Sequence, residues 1–103
     1  MQLARFLNNT FKNDGFLLID ADLKKYIIGS PKKKIPITLK ILNKKFHYKL
    51  LLRPDLYFGE GYSDGDIIIE NGTLTDFLDL ALMNIGRRNI NFFSQLINKM
   101  SGS

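Results

Sequence analysis

The chain has no cysteine and no tryptophan, three prolines and a single histidine in 103 residues. Without cysteine there are no disulfides and no thiolate metal ligands, which suits a reducing compartment. His47 stands alone, so a histidine metal cluster or a catalytic triad would lack its companions. No apolar run approaches the roughly 20 residues needed to span a bilayer. Met1 to Thr10 contains Arg5 but neither a long apolar stretch nor a small-residue cleavage site, so no signal peptide is read there. Disorder is excluded by a hydrophobic content of 45%. This length predicts one domain over residues 1–100, with Ser101–Ser103 as a disordered tail or linker remnant. Such a domain can bury a core but is short for a nucleotide-binding enzyme fold.

A further absence is local. From Leu23 to Pro54 there is no acidic residue, while Lys24, Lys25, Lys32, Lys33, Lys34, Lys40, Lys44, Lys45, Lys49 and Arg53 fall within that stretch. From Asp55 to Asp79 the pattern inverts, with Asp55, Glu60, Asp64, Asp66, Glu70, Asp76 and Asp79 and no lysine or arginine. Two outcomes are open for a net charge of +5 so distributed. Folding either makes one positive and one negative face, or interleaves the halves as scattered surface pairs.

The periodicities predict an α+β domain: a small mixed or antiparallel sheet of about four to five strands backed by helices. Leu3, Phe6, Leu7 and Phe11 have helical spacing over residues 2–12, and Asn13-Asp14-Gly15 ends that helix. Residues 15–21 read as a strand with 25–29 as its hairpin partner. Ile35 to Leu42 alternates Ile37, Leu39 and Ile41 against Thr38 and Lys40, with Pro36 confined to the strand's start or an edge. Asn43 to Leu52 leans helical and stops at Arg53-Pro54, and Asp55 to Tyr62 is expected to add one helical turn. Ile67 to Glu70 is a short strand. Thr73 with Asp76 approaches a capping box before the stripe Leu74, Phe77, Leu78, Ala81, Leu82 and Ile85. Ile90, Phe93, Leu96, Ile97 and Met100 predict a last helix that packs on the sheet, docks on a partner or lies in a lipid interface.

The motifs that suggest catalysis do not hold. Phe58-Gly-Glu-Gly-Tyr-Ser-Asp-Gly65 looks like a cofactor-binding glycine loop, but that loop needs a buried strand before it and a helix after it. Here Pro54 and Asp55 precede it and a strand follows, so its glycines are read as turn residues. Asp64-Gly-Asp66 with Glu70 does not fill the positions of a calcium loop. Glu60 and Asp64 could pair as carboxylates, yet nothing near them suggests a substrate cleft, and Ser30, Ser63 and Ser94 lack a nucleophile's context. The isolated chain is therefore expected to be no enzyme and to carry no cofactor or metal.

What remains is a basic segment interleaved with apolar and aromatic residues, as in Lys44-Lys45-Phe46-His47-Tyr48-Lys49. That composition suits an anionic bilayer surface, and it would also serve a nucleic-acid face. Residues 53–84 then run through Arg53-Pro54-Asp55, Gly59-Glu60-x-Tyr62, x-Asp64-Gly65-Asp66, an Ile/Glu strand and Gly72-x-Leu74-x-Asp76-Phe77-Leu78. This ordered set resembles the N-terminal, non-catalytic domain of bacterial cyclopropane-fatty-acyl-phospholipid synthases, S-adenosylmethionine-dependent methyltransferases acting on lipids. The match covers about residues 15–85 and is densest from Arg53 to Met83.

The resemblance implies a sterol-carrier-type lipid-binding fold that presents phospholipid acyl chains to a methyltransferase catalytic domain in cis or trans. It makes Gly59, Glu60, Tyr62, Asp64, Gly65 and Asp66 a signature loop with a structural or interdomain role. It also weights the basic residues toward membrane, with no nucleic acid expected. Lys32, Lys33, Lys34, Lys44, Lys45 and Lys49 are then the lipid-contacting set of a bacterial protein expected in the cytoplasm, peripheral at the inner face of the membrane. A homodimer is left open. The alternative reading is a regulatory module that docks a methyltransferase in trans, or a basic nucleic-acid-binding domain.

Overall fold

The structure, a computed structural model, describes residues 1–85. They form four helices and a four-stranded sheet in the order α1 (Gln2–Thr10), β1 (Gly15–Ile19), β2 (Lys25–Gly29), β3 (Thr38–Ile41), α2 (Lys45–Leu52), α3 (Pro54–Asp64), β4 (Ile67–Glu70) and α4 (Leu74–Ile85). The strand order is β2-β1-β3-β4. β1 and β2 are an antiparallel hairpin with Gly15 opposite Gly29 and Ile19 opposite Lys25. β3 lies parallel to β1, with Leu17 opposite Thr38, and β4 returns antiparallel to β3. The class is α+β with a mixed sheet.

Alternation sorts each strand into two faces. Phe16, Leu18, Ile28, Leu39, Ile41 and Ile67 are buried on one of them, against Leu3, Phe46, Phe58, Phe77 and Leu80 from the four helices. Phe16 sits at the centre, edge-on to Phe11 and Phe77 at ring-centroid distances of 5.0 and 5.2 Å. Phe58 stacks on Phe77 at 5.4 Å. Such aromatic pairs add about 0.5–1.5 kcal/mol each beyond the area they bury.

The elements arise much as their local chemistry dictates, with three differences. β3 begins at Thr38 rather than Ile35, because Pro36 has no N–H for the ladder; the Ile37 carbonyl is the first group used, accepting the Leu17 N–H at 2.9 Å. α1 closes at Thr10, whose hydroxyl donates back to the Phe6 carbonyl at 3.0 Å.

The largest difference is α3, an 11-residue helix where one turn was expected. Pro54 opens it, Asp55 complements its N-terminal dipole, and Gly65 ends it in the left-handed region at φ 81°. The signature residues are therefore helix and cap rather than a loop: Gly59, Glu60, Tyr62 and Asp64 lie within α3, Gly65 is its C-cap and Asp66 leads into β4. Gly59 and Gly61 are buried within the helix rather than in a turn, and Gly61 serves close packing. A Cβ on Gly61 would stand 2.5 Å from Cδ1 of Ile67. That contact is what overrides the weak helix propensity of glycine, about 1 kcal/mol per position.

Thr73 and Asp76 form the expected capping box: the Asp76 N–H donates to Thr73 Oγ1 at 3.1 Å and the Thr73 N–H to Asp76 Oδ2 at 3.0 Å. The helix expected over Ile90 to Met100 and the tail at 101–103 lie outside the described residues.

Candidate lipid-facing surface

No described helix covers the other side of the sheet. Its register sets two rows across the four strands: Ile27, Leu17, Thr38 and Glu70, then Lys25, Ile19, Lys40 and Ile68. Ile27 is 59% exposed and Ile68 also stands in solvent, with Leu17 and Ile19 half-buried between them. All four described helices bury their apolar residues on the opposite face. The face is thus mixed: Ile27, Leu17, Ile19 and Ile68 lie beside Lys25, Lys40 and Glu70, and Thr38 is buried, its Oγ1 accepting from Asn71 Nδ2 at 3.3 Å. Lys40 Nζ lies 3.8 Å from Glu70 Oε1, and Lys25 has no ion pair among the described residues.

One end of this face is richer still. Asp20 organises the turn between β1 and β2: its Oδ1 accepts the N–H groups of Asp22 and Lys24, both at 2.9 Å, and its Oδ2 accepts the Tyr26 hydroxyl at 3.3 Å. Burial disfavours its charge, but these donors, led by the Lys24 and Asp22 amides, hold the carboxyl below the ordinary carboxylate value. His47 Nε2 accepts the Ala21 N–H at 3.2 Å, which ties the turn to α2 and gives the one histidine a structural role. Around this turn lie Lys24, Lys25 and Lys44, with Lys44 Nζ 3.2 Å from Asp22 Oδ1, while Lys45 Nζ lies 5.4 Å from the centroid of the Phe46 ring. Leu42, half exposed, follows β3 at the same end.

The six lysines singled out in the sequence do not share one face. Ser30 bonds to Asp14 beside the start of β1, so Lys32, Lys33 and Lys34 lie at that end of the sheet. Lys44 and Lys45 stand at the other, where Asp22 and Ala21 follow the end of β1. Lys49 is turned to internal use: its Nζ is 3.4 Å from Glu60 Oε1 and 4.9 Å from the centroid of the Tyr57 ring. The basic and acidic halves of the sequence meet as scattered pairs, Lys40–Glu70, Lys49–Glu60 and Arg53–Asp55, not as opposed faces. The physical reason is that β4 and α3 fold back against β3 and α2, which brings Glu70 opposite Lys40 and Glu60 opposite Lys49, while Arg53 and Asp55 pair locally at the start of α3.

The signature residues have structural partners. Glu60 meets Lys49, Tyr62 stacks on Phe58 at 6.3 Å, and the Asp66 N–H closes α3 on the Gly61 carbonyl while its own carbonyl accepts from Leu42. Beside Lys33, a cleft of about 200 Å³ is lined by Asp14, Asp76 and Asp79. Among the described residues no group of three or more His, Cys, Asp or Glu side chains is placed to hold a metal ion.

The helix layer carries a second apolar feature, a groove lined by Phe6, Phe11, Phe58, Phe77, Leu78 and Ile85. Its volume of about 70 Å³ is well under the roughly 300–1,000 Å³ of a small-molecule site. A more open depression of about 380 Å³ adjoins it and shares Phe6, Phe11 and Ile85 with it.

Ile19, Lys25, Ile27 and Ile68 were not singled out from the sequence. The alternation of Lys25 and Ile27 against Tyr26 and Ile28 carries the signal, but Ile67-Ile-Ile69 reads as uniformly buried and hides it. No helix among the described residues is long and apolar enough to cross a membrane. Comparison of the chain with models of known protein families gives no match, and comparison with curated proteins gives none either.

Proposed function

We propose that this chain is a non-catalytic lipid-associating module that lays its open sheet face on an anionic membrane surface. The observation that carries the reading is the two adjacent rows that set Ile27, Leu17, Ile19 and Ile68 on one face, with Lys25 and Lys40 among them and Lys24 and Lys44 at its end. Each lysine near an anionic surface contributes roughly 1 kcal/mol, and a fully buried isoleucine about 1.5–3 kcal/mol. Neither contribution alone anchors a protein, as the weak binding of a single acyl anchor illustrates. Together they suit reversible, peripheral attachment.

The partner in this reading is a methyltransferase domain in cis or trans, which rests on the resemblance of Arg53 to Met83 to the cyclopropane synthase family. Nucleic-acid binding is less favoured, because the unpaired lysines divide between the two ends of the sheet instead of forming a continuous track.

Co-sedimentation with phosphatidylglycerol vesicles, against pure phosphatidylcholine at low and high salt, tests the reading. Binding to the anionic vesicles that weakens with salt supports it, and equal recovery in the supernatant of both refutes it.

A further inference from the structure

Leu23 is the largest anomaly on the surface. It is 74% exposed and adopts a left-handed backbone at φ 67°, a region that a branched apolar residue occupies at a cost and that glycine or asparagine fills readily. The turn enforces this conformation. The Leu23 N–H donates to the Asp20 carbonyl at 3.0 Å, the Asp20 N–H to the Lys24 carbonyl at 2.9 Å, and the buried Asp20 carboxylate holds the amides on either side of Leu23. The fold therefore uses a buried carboxylate to present a leucine to water, at the point of a hairpin where a polar residue would be more stable.

Strain held in place by surrounding structure points toward function. The surroundings of Leu23 indicate what it meets. Lys24 and Lys25 follow it, and Lys44 and Lys45 stand at the same end of the sheet. The one carboxylate exposed at the tip, Asp22, lies 3.2 Å from Lys44 Nζ in a solvent-exposed pair that an anionic head group can displace. An apolar point ringed by lysines complements an anionic bilayer, with head groups outside and hydrocarbon beneath.

We infer that the β1–β2 turn is a membrane-inserting wedge: Leu23 enters the acyl region of an anionic phospholipid bilayer while Lys24, Lys25 and Lys44 contact head groups. This rests on the lipid-associating reading above and specifies which point of the surface penetrates. The strained backbone is then the cost of keeping an apolar tip ready in water.

The test compares wild type with Leu23→Asn and Leu23→Gly, in urea unfolding and in binding to phosphatidylglycerol vesicles. Both replacements suit the left-handed turn, so the urea midpoint is expected to hold or rise. Vesicle affinity is expected to fall about tenfold, the loss that burial of one leucine side chain implies. Wild-type affinity in both variants overturns the wedge while leaving the lipid-associating reading intact. Failure of the wild type itself to bind overturns both. A drop in midpoint matching the drop in affinity also overturns the wedge, because Leu23 would then be supporting the fold.

Discussion

The side chain of Asn84, near the end of α4, pairs with the backbone of Asn13 as a strand would. Its Oδ1 accepts the Asn13 N–H at 2.7 Å, and its Nδ2 donates to the Asn13 carbonyl at 2.8 Å and to Leu80 in its own helix at 2.9 Å. The link spans 71 positions of sequence and fixes the last described helix to the turn between α1 and β1. Asn84→Ala is expected to cost about 1–2 kcal/mol, since each such bond contributes about 0.5–1.5 kcal/mol net. Asn84→Asp should be no better, because its carboxylate would face the Asn13 carbonyl without a donor. Urea unfolding of the three proteins measures both differences.

Gly61 and Ile67 are expected to be coupled. A methyl group at Gly61 would meet Cδ1 and Cγ1 of Ile67 at 2.5 and 2.8 Å and the Phe46 ring at 3.1 Å. Gly61→Ala should therefore destabilise by about 1–3 kcal/mol through overpacking. Ile67→Val removes Cδ1 and by itself costs about 0.5–1.5 kcal/mol. In the double variant the two costs should be less than additive, which a double-mutant cycle reads directly.

Acid should weaken the fold through identifiable carboxylates. Asp14 is held below the ordinary value of 3.8 first by the Lys32 N–H, and Asp55 first by Arg53. Asp20 is lowered although burial opposes it, and Asp76 is lowered by its bonds to Thr73. In each case the unfolded chain takes up protons at a higher pH than the folded one. Their stabilisation is thus fully present above the ordinary carboxylate value and is lost as pH falls through it toward the lower folded values. Urea midpoints should be flat from about pH 7 to about pH 5 and fall below that, and Asp20→Asn should shrink the fall.

Much of this architecture is legible in the sequence because its signals are local. The stripe from Leu74 to Ile85 and the Thr73/Asp76 box define α4, the apolar run from Phe16 to Ile19 between turn residues defines one strand, and the alternation about Leu39 and Ile41 defines another. α3 was not legible, because Gly59, Gly61 and Gly65 imitate a loop, while the reason for Gly61 is the side chain of Ile67 arriving from another element. Charge was misleading for the same kind of reason. Lys49 belongs to a basic run in sequence but to Glu60 and Tyr57 in space. The open face depends on register across β2, β1, β3 and β4, and no window of sequence contains it.

The orientation of the molecule on a bilayer is the point at which the account stands or falls. The chain has no native cysteine, so Ile27→Cys on the open sheet face and Leu82→Cys on the exposed side of α4 can each carry one environment-sensitive fluorophore. On addition of phosphatidylglycerol vesicles the label at position 27 should shift to the blue and gain intensity, while the label at 82 stays as in water. A shift at 82 alone, or none at 27 when the protein is bound, would contradict the open sheet face as the lipid-facing surface.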